Sequence, residues 1–468
     1  MPTDNHGLEI TAANDEAARA YDATLAAYLG FRRDTGAHLK AAFAADPDLV
    51  MGHCIKGFFL QLFANRVLIP KAHAALDAAS AAADKHGATP RERRHIAALA
   101  AWLNEDMAGA LADWEAILAE HPRDALALRL AHHFHFYLAP GEAMRASMDR
   151  VLGAWDETAP SYGFVLGMAA FALEEAGDFK PAERFGRDAV ERNPDDIWAV
   201  HAVAHMIEMQ GRYAEGIDWL TALEPHWTTA HNFRFHVWWH RALFHLERGE
   251  IDAVLALYDE RIRGEEPDSD DYLDLSNGVA LLWRLEALGI DVGDRWAELG
   301  EKSAGRGQDH QLVFADAHYL MALAAAGRSE DTAAMLGRME ALARTSQATE
   351  AEVTRVVGLP LARAIVAYQG GDYAAAADAL APVADEVWRI GGSNAQRDLF
   401  AQVLIHAELK AGRFEAARAR LAARTGTRPQ SSSSWAWYAA ALEGAGDKTG
   451  AALAHEKARD KARFAISA

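Results

Sequence analysis

The segment DDIWAVHAVAHMIEMQGRYAEG, residues 195 to 216, carries two imidazoles and a carboxylate at His201, His205 and Glu208. Spacings of four and three residues bring these side chains onto one stripe of an α-helix, because 3.6 residues complete a turn. A second pair with the four-residue spacing, His236 and His240, follows in FRFHVWWHRALFHLERGE. Two imidazoles one helical turn apart can ligate a single ion, and imidazole nitrogen suits zinc or non-haem iron. His201, His205, His236 and His240 are therefore the candidate metal ligands, with Glu208, His406 or Asp316 as a further ligand. Without an ion, neutral imidazoles beside a carboxylate exchange protons near neutral pH. That chemistry suits hydrolysis or lyase-type elimination. Nucleophilic catalysis has thinner support, since Cys54 adjoins His53 and neighbouring residues on a helix point in different directions.

Helices must position these groups, because strand signals are nearly absent and alanine is abundant. Glycine recurs between apolar-periodic stretches in AGDFKPAERFGRDAVERNPDD, QGRYAEGIDWL, RGEIDAVLALYD, AGRSEDTAAML, GGDYAAAADALAPV, AGRFEAARARLAA and AGDKTGAALAHEKA. Glycine allows a helix to end in a left-handed conformation, and a small residue about five positions later allows the next helix to approach closely. HPRDALALRLAHHF and NPDDIWAVHAVAH then restart a helix after a proline. Several acidic and hydroxyl residues belong to such helix starts. Asp48, Asp124 and Asp196 read as N-terminal caps, and Thr89 with Glu92 and Ser393 with Gln396 read as capping boxes.

This punctuation resembles tetratricopeptide repeats, whose period is about 34 residues. The expected fold is all-α: tetratricopeptide-like helical-hairpin repeats stacked into a right-handed solenoid enclosing a concave pocket. The expected organisation is a single α-solenoid domain over residues 1–468, of about ten to twelve hairpins, degenerate at 20–80 and 265–310. In the repeat frame the groove-lining positions of the first helix are the second, fifth, ninth and twelfth. Counted back from Gly211, His201, His205 and Glu208 take the fifth, ninth and twelfth; counted back from Gly412, Gln402 and His406 take the fifth and ninth. His53 and His133 fall on equivalent positions, and His310 and His318, the latter beside Asp316, come from a further repeat.

Over residues 20 to 430 the chain also resembles the family of tetratricopeptide repeat protein 38. The match is carried in order by DPDLVMGH, TPRERRHIAALAAW, HPRDALALRLAH, DDIWAVHAVAH, WWHRALFHLERGE, DHQLVFADAHYLMA, VVGLPLARAI and GGSNAQRDLFAQVLIHA. The resemblance implies a repeat solenoid and no settled biochemical activity.

Composition bounds the partners. Hydrophobic residues make up 51% of 468, enough for a continuous core. The net charge of -20 argues against a nucleic-acid backbone or an anionic membrane surface. A single cysteine, Cys54, excludes an internal disulfide and points to a reducing compartment. The opening MPTDNHGLEITAAND lacks the features of a signal peptide, and no apolar run approaches a membrane span, so the expected location is cytoplasmic.

Two classes of function follow. In the first, an internal histidine-rich pocket binds a small polar or aromatic ligand and acts on it. His201, His205, Glu208, His236, His240, Asp316, His318 and His406 are its catalytic candidates. His53, His133, Trp198, Trp239, His310, Asn394, Arg397 and Gln402 are its binding candidates, with Asn394 and Arg397 suited to a carboxylate or amide. In the second, a non-catalytic scaffold accepts a peptide or protein partner along its groove. A pocket gathers titratable groups in one place, whereas a groove spreads them over several repeats.

Overall fold

The computed structural model describes residues 1–464 of the chain. Among the described residues the protein is all-α, built from tetratricopeptide-like helical hairpins, and β pairing is confined to the isolated bridges Thr3–Glu9 and Arg32–Ala230. No helix among the described residues is long and apolar enough to cross a membrane.

The chain divides by internal contact into two compact units. Among the described residues, unit 1 comprises 1–203, 223–234 and 347–350, and unit 2 comprises 204–222, 235–346 and 351–464. In chain order unit 1 pairs α1 (Asp15–Leu29) with α2 (Thr35–Ala45), α3 (Val50–Leu62) with α4 (Ile69–His86), and α5 (Pro90–Leu103) with α6 (Met107–Glu120). It then pairs α7 (Ala125–Leu138) with α8 (Gly141–Val151) and α9 (Tyr162–Glu175) with α10 (Phe179–Arg192). The chain first passes from unit 1 to unit 2 within α11 (Ile197–Met209). After α11 come α12 (Tyr213–Ala222) and the single turn α13 (Glu224–Trp227). Next are α14 (Phe233–Glu247), α15 (Ile251–Leu257), α16 (Tyr272–Ala287), α17 (Arg295–Arg306), α18 (Val313–Ala325) and α19 (Ser329–Thr345). The remainder is α20 (Thr349–Val353), α21 (Leu359–Gln369), α22 (Tyr373–Leu380), α23 (Asn394–Lys410), α24 (Phe414–Thr427), α25 (Ser432–Gly444) and α26 (Lys448–Phe464).

The turns form as their glycines dictate. Gly177, Gly211, Gly249, Gly327, Gly371, Gly412 and Gly446 all have φ between 69° and 86°, the left-handed region that any side chain would strain. Each closes its helix with the paired bonds of a Schellman motif. At Gly211, for example, its own N–H donates to the Glu208 carbonyl at 2.9 Å and the next N–H, of Arg212, to Ile207 at 3.0 Å. Five residues on, Gly216 meets the ring of Phe244 so closely that a Cβ there would lie 2.5 Å from Cε2.

Each core is aromatic and aliphatic. In unit 1, Trp102 and Trp114 each meet Phe134 edge-on, with ring centroids 4.7 Å apart. In unit 2, Trp239, Phe244, Leu281 and Trp283 are fully buried. Burying one such side chain contributes about 1.5–3 kcal/mol, so the stacked faces carry the fold and the caps set its register. Thr89 and Ser393 do form capping boxes, and Asp124 and Asp196 do cap their helices. Asp48 does not. Asp46 takes the turn amides of Asp48 and Ala13, leaving Asp48 to pair with Lys85 at 2.7 Å and His86 at 2.9 Å.

Candidate functional site

In unit 2, one histidine of the first sequence pair meets both of the second. His205 on α11 and His236 and His240 on α14 are buried, and each offers a ring nitrogen within 4.8 Å of those of the others. The ring centroids of His205 and His240 are 4.4 Å apart, and those of His236 and His240 4.7 Å. Two partners fix the ring orientations. His240 Nδ1 donates to Glu208 Oε2 at 2.9 Å, and His236 Nδ1 faces Asn277 Oδ1 on α16 at 2.8 Å. Trp239 stacks on His236 at 5.1 Å with planes 14° apart. Burial holds His205 and His236 well below the ordinary histidine range, and the neighbouring His240 adds to the shift, so both are neutral imidazoles at neutral pH.

Glu208 reaches from this group to a cleft. The cleft takes in about 500 Å³ of space between atoms, the open solvent at its mouth included, and its lining belongs wholly to unit 2. Its polar lining includes Glu208, Arg284, Asp398, Gln402 and Arg428. Its apolar lining includes Leu243, Leu246, Leu288 and Trp437. Asp398 is fully engaged. It accepts from Arg424 Nη1 and Nη2 at 2.5 and 2.9 Å and from Gln402 Nε2 at 2.7 Å, and Arg428 lies 3.7 Å away. Burial opposes its charge, yet Arg424 and Arg428 hold Asp398 well below the usual carboxylate range. Glu247, also in the lining, is raised by burial, and its Oε2 has no hydrogen-bond partner.

Arg284 is the exception to this balance. The residue is only 5% exposed. Its guanidinium donates to the backbone carbonyls of Ala280 and Ala395 at 3.0 and 3.2 Å and lies 5.6 Å from the Trp239 ring. None of the ion pairs among the described residues includes it. Burial pushes it down to about 10, with Asp398 and Glu208 offsetting part of the shift from a distance. A buried guanidinium without a carboxylate against it is costly unless something anionic completes it.

The remaining candidates are held by local partners. In unit 1, His53 Nε2 donates to the Pro47 carbonyl at 2.9 Å and its ring packs on Phe43. His133 bonds the Tyr137 hydroxyl at 2.8 Å. His201 lies against Trp198, Phe171 and Phe233 at 5.0–5.5 Å, and Arg129 sits 4.1 Å from the Trp198 ring. In unit 2, Asp316 turns to His310 at 3.0 Å and not to His318, whose Nδ1 donates to the Phe314 carbonyl at 2.7 Å. His406 bonds the Tyr368 hydroxyl at 2.5 Å and sits among Tyr368, Trp283 and Trp437; burial pushes it down to about 4. Neither His406 nor Asp316 joins the three imidazoles. Asn394 and Arg397, expected to hold a ligand's carboxylate or amide, bond to each other at 2.9 Å, and Arg397 also reaches the Gly392 carbonyl. The Cys54 thiol is fully buried and pushed up by that burial, which removes it as a nucleophile.

Sequence reasoning does not find Arg284, Asn277, Glu247, Asp398, Arg424 or Arg428. The available signal is weak: a lone arginine in LLWRLEAL and a lone asparagine in LSNGVALL, each inside an apolar run.

No family model matches the chain. The human IFIT1 dimer with PPP-AAAA is similar at 14% identity and a TM-score of 0.42, over 97% of this chain and 96% of that one. The same dimer with m7Gppp-AAAA gives 14% and 0.36 over the same shares. Naa15/Naa10 bound to HypK-THB gives 14% and 0.25, over 96% of this chain and 64% of that one.

Proposed function

We propose that this chain is a helical-repeat scaffold whose unit 2 binds a small organic anion in the cleft beside Arg284. The observation that carries the reading is the buried Arg284 guanidinium on the cleft wall, with backbone carbonyls and no carboxylate against it. An anionic group would complete its charge, with Gln402 and Arg428 beside it, while Leu243, Leu246, Leu288 and Trp437 would cover an apolar or aromatic body. Glu208 stands on the same wall with His240 behind it. That pairing moves protons in hydrolases and lyases, and we assign Glu208 that role in this reading. Membership of the tetratricopeptide repeat protein 38 family belongs to the same proposal and speaks to fold more than to activity.

The test is thermal-shift and calorimetric titration with benzoate, phenylpyruvate, succinate and inorganic phosphate, against benzamide and benzylamine as neutral and cationic controls. The aromatic carboxylates should raise the melting temperature in wild type and not in Arg284→Met. Equal shifts from benzamide, or no shift from any anion, would overturn the reading.

A second reading, a non-catalytic scaffold for a peptide or protein partner, is favoured by the repeat architecture together with the net charge of -20, which selects a basic segment. Salt-sensitive binding of a lysine-rich peptide that survives Arg284→Met supports this second reading over the first.

A further inference from the structure

We infer that His205, His236 and His240 form a binding site for a divalent transition-metal ion. The inference stands apart from the cleft, because it rests on how two imidazoles are oriented and on the third lying close to both. A carboxylate can only accept a proton, so the 2.9 Å contact from His240 Nδ1 to Glu208 places the ring hydrogen on Nδ1. The lone pair of His240 is then on Nε2. The Asn277 amide oxygen, 2.8 Å from His236 Nδ1, imposes the same tautomer there. Metal-ligating histidines are held in this way, with one ring nitrogen donating to a carboxylate or carbonyl group and the other free to coordinate.

Proximity and shielding agree with this. Each of the three rings offers a nitrogen within 4.8 Å of the others, a separation that one ion can bridge with bonds of about 2.0–2.1 Å. The flat stack of Trp239 on His236 gives the group an apolar wall, which strengthens ion–ligand attraction by excluding water. All-nitrogen donors select zinc, cobalt, nickel, copper or ferrous iron over magnesium and calcium, which prefer oxygen.

The experiment uses the full chain without a histidine tag, stripped by chelator and titrated with Co²⁺. One equivalent should bind and give a ligand-field spectrum that Zn²⁺ abolishes. X-ray absorption of the zinc form should show imidazole scattering. His205→Gln, His236→Gln and His240→Gln should each lose the spectrum, whereas His133→Gln should keep it. Asn277→Ala keeps all three imidazoles but removes the partner that orients His236, and should weaken Co²⁺ affinity by about 10–100-fold. Folding of every variant is checked by circular dichroism, and the absorption measurement needs only wild type. Absence of Co²⁺ binding to folded wild type, an oxygen-only metal shell, or unchanged affinity in all three folded histidine variants would overturn the inference.

Discussion

His240 Nδ1 donates to Glu208 Oε2 across 2.9 Å, joining α14 to α11. Both helices end on left-handed glycines, Gly249 and Gly211, whose closing bonds set the height of each residue along its axis. The pair is therefore positioned by turn chemistry, and it links the buried imidazoles to the wall of the cleft. His240 is fully buried and Glu208 nearly so, which makes the bond sensitive to the loss of either partner.

Removing the carboxylate should show this. A hydrogen bond to a charged group contributes about 1.5–3 kcal/mol, and an orphaned buried donor adds a penalty. Glu208→Ala should lower stability by about 2–4 kcal/mol in urea unfolding, and Glu208→Gln by less, because its amide oxygen still accepts from Nδ1. A double-mutant cycle with His240→Gln should return a coupling of about 1–3 kcal/mol. Additive losses would mean that the two side chains act separately.

Gly216 tests the repeat packing. A Cβ there would lie 2.5 Å from Phe244 Cε2, within a fully buried ring. Gly216→Ala should cost about 1–3 kcal/mol by overpacking, despite alanine's better helix propensity. An unchanged urea midpoint would show that α12 and α14 can part at no cost.

What the sequence makes legible follows from what is local. A glycine that ends a helix, a small residue five positions later and a hydroxyl three before a glutamate or glutamine act within one or two turns. Gly211, Gly216 and Ser393 can therefore be read directly. The meeting of His205 with His236 and His240 is half legible, since spacing gives the stripe on each helix while packing chooses the face. Arg284 is not legible. Its Nη2 partner Ala395 is 111 residues away, and the Arg424 that engages Asp398 is farther along still. In LLWRLEAL an arginine reads as a surface residue until those distant segments close over it.

Asp196 gives a pH signature. Its Oδ1 caps α11 through the amides of Trp198 and Ala199, each at 3.1 Å, while Oδ2 has no partner in a fully buried position. Burial raises its pKa to about 7, against the pull of those amides and of Arg129. A carboxyl whose folded pKa is raised contributes stability that is complete below its unfolded value near 3.9 and lost as pH rises through the folded value. Wild type should therefore lose stability relative to Asp196→Asn between about pH 4 and pH 7, by up to about 1.4 kcal/mol per pH unit. Asparagine keeps the cap and cannot ionise. Urea midpoints of the two proteins measured from pH 4.5 to 8 should diverge with rising pH, and parallel profiles would place a compensating cation on Asp196.

Arg284 separates stability from function. Exchanging an incompletely compensated buried charge for a well-packed apolar side chain is often neutral or stabilising by 1–4 kcal/mol. Two backbone carbonyls lose their donors in that exchange, at about 1 kcal/mol each. The two effects oppose each other, so Arg284→Met should keep the ligand-free urea midpoint within about 1–2 kcal/mol of wild type. The same variant should lose the thermal shift given by aromatic carboxylates. A residue retained at no benefit to the empty fold, yet required for binding, is held there by its ligand. Severe destabilisation of the ligand-free variant would instead make Arg284 a structural bridge between α16 and the start of α23.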